Sequence, residues 1–199
     1  MDFTYFLEMS ARIFLNPFKT LIGLSRRMKG QPSLFFKFGF LTSLMGNASL
    51  FISYKLMNSE IHEKAPSVLF SLFYTLFINY TLDIFIIAST YFLLSFTKRN
   101  IDIFYLTGIF LFSEFTYIIL LPLSLIFMVI PVNLTGFYEV LVLTAIVLSF
   151  FLKIKSLSIA SKISLIRSFS YILLPFLIII LFVSFNIIYL INYFSILVQ

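Results

Sequence analysis

The amino-acid sequence predicts an all-α fold: a polytopic transmembrane bundle of five spans, preceded by an N-terminal amphipathic helix at the membrane interface. Three observations carry that expectation. Of 199 residues 61% are hydrophobic and 11% charged, with 28 Phe and no Cys, and the mean hydropathy of +1.08 is far above that of a soluble domain. Five apolar stretches approach or exceed the ~20 residues a helix needs to cross a roughly 30 Å hydrocarbon core. Lys and Arg crowd into alternate connections and nearly vanish from the others.

The chain divides into a cytoplasmic segment, 1–32, and a five-span membrane domain, 33–199. Asp2 and Glu8 stand where a cleavable signal would carry basic residues, so the first span is expected to direct insertion. Asn16-Pro17 reads as a helix start, Asn as N-cap and Pro in the first turn. Phe18, Leu21, Ile22, Ser25 and Met28 then share one face, with Lys19, Arg26, Arg27 and Lys29 mainly off it. Such a helix lies along the surface, its basic side toward anionic lipid headgroups, until Gly30-Gln31-Pro32 turns the chain into the bilayer.

The spans are expected at Ser33–Tyr54, Ser67–Phe96, Ile103–Ile130, Leu134–Leu152 and Ser168–Tyr193. The second and third exceed the bilayer thickness and must tilt or project. Pro122 and Pro175 are expected kinks. Arg12, Lys19, Arg26, Arg27, Lys29 and Lys37 precede or open the first span; Lys98 and Arg99 fill the second loop, and Lys153, Lys155, Lys162 and Arg167 the fourth. Only Lys55 and Lys64 remain for the other side, partly offset by Glu60 and Glu63. The positive-inside rule therefore places the N-terminus in the cytoplasm and the C-terminus outside, in the cytoplasmic membrane if the source is prokaryotic.

Small and polar residues line one side of the first span. Gly39, Ser43, Gly46 and Asn47 form a helix-packing stripe at spacings that permit close backbone approach. In the second span Ser71, Thr75, Asn79 and Asp83 recur every four residues, and the third carries Glu114 with Tyr117 one turn on. Counted from the turn joining these spans, Asp83 and Glu114 fall at similar depth, ~17–20 Å in at about 1.5 Å per residue, and could face each other. No Lys or Arg is expected at that level. An intramembrane carboxylate costs at least ~2.5–3.5 kcal/mol, so the pair must keep a proton or meet water or a cation. Asp83, Glu114, Asn79 and Tyr117 are thus the candidate ion or proton site, beside the plainer reading that they hold helices together.

His62 with Glu60 and Glu63 reads as a flexible acidic loop and not a metal site, and Asn133-Leu134-Thr135 fits a glycosylation acceptor that would hug the membrane. No phosphate-binding glycine loop, paired-His zinc helix or nucleophile elbow occurs. No catalytic residue, metal or cofactor is expected, and basic residues dispersed beside membrane ends favour lipid over nucleic acid.

The chain resembles the Yip-domain family of five-span membrane proteins, named for Ypt/Rab-interacting proteins. Phe14-Leu15-Asn16-Pro17-Phe18-Lys19-Thr20 is similar to the Pro-led helix before the first span, and Leu94-Ser95-Phe96-Thr97-Lys98-Arg99-Asn100 to the tight turn after the second. Leu121-Pro122-Leu123 and Leu174-Pro175-Phe176 resemble the prolines of later spans. The resemblance implies a membrane or trafficking component of the compact prokaryotic type. It does not extend to GTPase recruitment, because the family's long N-terminal region with its Asp-Leu-Tyr-Gly-Pro stretch has no counterpart here. The expected function is a non-enzymatic membrane protein that organises lipids or partner proteins, with self-association or other membrane proteins as partners. The alternative is a small transporter, channel or ion-coupled accessory subunit using Asp83 and Glu114.

Overall fold

A computed structural model describes residues 12, 16, 19, 20, 23, 30–57, 65–99, 101–130 and 135–197. Arg26, Arg27 and Lys29 of the expected surface helix lie outside these, as do Glu60, His62, Glu63 and Asn133; Lys19 is helical and exposed. The described chain runs α1 (Pro32–Met57), α2 (Ala65–Phe96), α3 (Ile103–Phe112), a 3-10 segment (Ser113–Ile119), α4 (Leu120–Val129), α5 (Thr135–Ser161) and α6 (Leu165–Leu197). With α3, the 3-10 segment and α4 forming one rod, five helical units are long and apolar enough to cross a membrane. The described residues contain no strand.

Small residues set the arrangement. A methyl group at Gly39 would stand 2.7 Å from the carbonyl oxygen of Gly108, and one at Gly46 2.5 Å from that of Glu114. Here α1 and the third rod run parallel and touch backbone to backbone, which maximises van der Waals contact and lets side chains of the two helices hydrogen-bond. Phe35 and Tyr105 fix one end of this pair, with ring centroids 5.5 Å apart. The Ser53 and Tyr138 hydroxyls join α1 to α5 near the other.

Pro122 lacks the N–H that the Ile118 carbonyl would take in a regular helix, and its ring crowds that carbonyl. The irregularity appears one turn earlier than the expected kink, as a 3-10 stretch over Ser113–Ile119. Pro175, by contrast, sits inside an uninterrupted α6.

Two helix ends at one pole close alike. Lys98 and Lys162 adopt left-handed backbone angles, φ 55° and 53°. Beyond them the Arg99 N–H donates to Leu94 O at 3.2 Å and the Ile163 N–H to Ser158 O at 3.2 Å, the six-to-one bond of a Schellman motif.

The fourth span is longer than the sequence suggested. α5 continues to Ser161, so Lys153 lies inside a helix and not in a loop. The expected boundary at Leu152 came from grouping Lys153 with Lys155, Lys162 and Arg167 as a basic loop, because a lysine with a partner inside the bundle looks in sequence like one at a membrane surface.

Candidate functional site

The polar residues of four different rods converge around Lys153. Its Nζ donates to Asp83 Oδ1 at 3.0 Å and to Glu114 Oε1 at 3.1 Å. The sequence expectation of two acids with no cation at their depth is therefore corrected: Asp83, Lys153 and Glu114 form a buried acid–lysine–acid centre. Helical side chains lean toward their helix N-terminus. In α5 that direction runs away from Ser161, which carries the ammonium farther into the bundle than its Cα.

Glu114 is held on its other oxygen as well. Asn47 Nδ2 donates to Glu114 Oε2 at 2.7 Å, and Ser43 Oγ donates to the same oxygen at 2.5 Å. Asn79 Nδ2 donates to Asn47 Oδ1 at 2.9 Å, tying α2 into the network. Ser43 Oγ lies 3.3 Å from the Tyr80 hydroxyl. Thus Ser43 and Asn47 of the small-residue stripe are buried beneath the carboxylate, while Gly39 and Gly46 make the backbone contacts that bring it there.

The 3-10 segment aims the site. Residues three apart eclipse in that geometry, so Glu114 and Tyr117 project together into a cavity of about 240 Å³. All five spans line it, including Asn47 and Leu50 of α1, Asn79 of α2, Ile146 of α5 and Phe176 of α6. The four residues of the candidate site, Asp83, Glu114, Asn79 and Tyr117, all reach this cavity, and Lys153 is the member that sequence reasoning missed. Its signal was the spacing Ala145, Ser149, Leu152, Ser156, a buried face of α5 that runs on past Lys153.

Two carboxylates against one ammonium leave one negative charge in excess when all three groups are ionised. Asp83 and Glu114 are 6% and 4% exposed, too deep for bulk water to screen that charge. Among the described residues no three His, Cys, Asp or Glu side chains cluster as metal ligands. What the centre can do is accept one more positive charge.

Asn47→Ala removes the donor to Glu114 and the acceptor of Asn79 together. Hydrogen bonds to charged groups are worth roughly 1.5–3 kcal/mol. The variant is therefore expected to unfold in detergent at a lower temperature by about that free energy, whereas Asn186→Ala, on an exposed stretch of α6, leaves the transition within error.

The fold and this centre define an all-helical, multi-pass bundle with a charged core. No family model matches the chain, and neither does any curated protein or solved structure.

Proposed function

We propose that the protein is a non-enzymatic multi-pass membrane component that reversibly takes up one positive charge, a proton or a small monovalent cation, at Asp83, Lys153 and Glu114. The observation that carries this reading is the convergence of three ionisable side chains from three spans on a cavity that all five spans line. Ionisable groups inside a membrane are costly and mark ion or proton pathways. Lys153 offsets only half of the acidic charge. Tyr80 and Tyr117 are the other titratable groups at the centre. The membrane orientation in this proposal follows the basic-residue bias, N-terminus cytoplasmic and C-terminus outside.

The test is flux in proteoliposomes under an imposed proton or sodium gradient. Wild-type protein is expected to dissipate the gradient, and D83N/E114Q to fall to the rate of protein-free vesicles. Flux unchanged in D83N/E114Q, or wild-type flux equal to protein-free vesicles, overturns the reading.

A second reading, the Yip-like organiser of lipids or partner proteins, is favoured by a different observation. Along α2 from Ser67 to Leu82 and along α6 from Phe176 to Tyr189 no side chain is buried, leaving apolar helix surface for lipid, a second copy or another membrane protein. Loss of assembly in D83N/E114Q without any flux phenotype would favour it.

A further inference from the structure

Burial is unequal along the bundle axis, and the inequality bears on the charged centre. On the side toward the Lys98 and Lys162 turns, the centre is sealed. Ile87, Leu94, Leu106, Ile109, Leu157 and Ile172 close over it in one apolar core, each at most 4% exposed. Thr90 is fully buried there, its hydroxyl directed to Tyr171 O at 3.4 Å.

On the other side, toward Met57, every fully buried side chain among the described residues belongs to α1, the third rod or α5. Thr116 Oγ1 donates to Ala145 O at 3.2 Å, and Ser53 meets Tyr138. α2 and α6 take no buried part in it over 67–82 and 176–189. The cavity lies on this side: Leu50, Asn79, Tyr117 and Ile146 are all displaced from the charged groups toward the Met57 end of their helices.

One further pattern points the same way. Ser71, Thr75 and Asn79 recur at four-residue steps on α2, all half-buried, and end at Asp83. At about 1.5 Å per residue this polar ridge spans ~18 Å from Ser71 to the carboxylate. The Thr75 hydroxyl donates to Ser71 O at 2.8 Å, and together with Ser71 and Asn79 it gives α2 a polar edge that leads from the Met57 side to the cavity at Asp83.

We propose that the centre is an outer-vestibule site: water and small monovalent cations or protons reach Asp83 and Glu114 from the Met57 end only, along the Ser71–Thr75–Asn79 ridge, while the opposite end is closed. This rests on the charge-uptake reading for its ligand, but the route stands on burial and can be tested without flux. The ridge supplies neutral oxygen and amide dipoles to a passing cation. The excess negative charge at its base favours cations over anions.

Because the chain has no Cys, single thiols report access directly. Ser67→Cys, Thr75→Cys, Asn79→Cys and Thr90→Cys are prepared in the full chain and reconstituted. A membrane-impermeant trimethylammonium methanethiosulfonate is added to one face of the vesicles or the other. Ser67→Cys is the control for orientation and folding. Thr75→Cys and Asn79→Cys are expected to react from the same face as Ser67→Cys, and Thr90→Cys from neither. At Thr75→Cys the cationic reagent is expected to react about 10-fold or more faster than an anionic sulfonate of similar size, the lower end of charge-focusing effects, and D83N/E114Q to abolish the preference. Thr75→Cys and Asn79→Cys both inert while Ser67→Cys reacts, or Thr90→Cys modified from either face, overturns the route. Equal rates for the two reagents overturn the cation preference. Accessible thiols with no flux would instead sink the charge-uptake function and leave the vestibule.

Discussion

Lys153→Met is expected to be the most damaging single substitution in the membrane domain. It leaves Asp83 and Glu114 facing each other with no cation between them, and removing one partner of a buried ion pair costs about 3–5 kcal/mol. Three spans lose their shared contact together, because Lys153 is where α2, the 3-10 segment and α5 meet. The measurement is thermal unfolding in detergent, followed by circular dichroism. The diagnostic is rescue: D83N/E114Q/K153M removes every charge and should unfold later than K153M alone, since a neutral centre no longer strands buried carboxylates. A K153M protein as stable as wild type would mean that the ammonium does not hold the acids, and the site would have to be redrawn.

Gly46→Ala is the second large effect, and it acts through backbone. The added methyl would meet the Glu114 carbonyl oxygen at 2.5 Å and its carbon at 3.3 Å. Neither atom belongs to a flexible side chain that could swing away, so the third rod must retreat from α1. Overpacking of this kind typically costs about 1–3 kcal/mol. It should also lengthen the bonds from Ser43 and Asn47 to Glu114, so the variant should lose more charge uptake than its stability alone explains. Gly136→Ala is the control: nothing lies within 4 Å of a methyl there, so its melting temperature is expected to stay at or slightly above that of wild type. Equal melting temperatures for Gly46→Ala and wild type would remove the close approach as a structural determinant.

Much of the architecture could be read from residue order, for reasons particular to membranes. With lipid as solvent, the apolar stretches are the spans, and the structure's five apolar helical units coincide with them to within a few residues at most ends. The spacing of Asp83 and Glu114 from their common turn indicated equal depth because the two helices leave that turn in opposite senses. What stayed hidden was Lys153. Beside Lys155, Lys162 and Arg167 it reads as part of a basic loop, and only the buried face continuing through Leu152 and Ser156 reveals that the helix does not stop. The 3-10 segment was equally opaque, since Pro122 marks a disturbance without saying which turn absorbs it. The asymmetry of burial between the two ends was beyond periodicity, because the Ser71–Thr75–Asn79–Asp83 ridge of α2 marks a polar edge without saying how deeply the rest of the helix is packed.

The left-handed lysines at 98 and 162 have a last consequence, for how deeply the protein rides in its membrane. Glycine would fill such a position without strain, whereas an L side chain there costs roughly 1–2 kcal/mol. Each lysine also brings a cation close to the carbonyl-rich end of its helix, an interaction that offsets part of that cost. Both hairpins, α2 to α3 and α5 to α6, thereby carry a fixed charge at the tip of a turn only a few residues long. Sinking either tip into hydrocarbon would cost at least ~2.5–3.5 kcal/mol for its lysine, so both turns are expected to stay at one interface, where they fix how deeply the bundle sits.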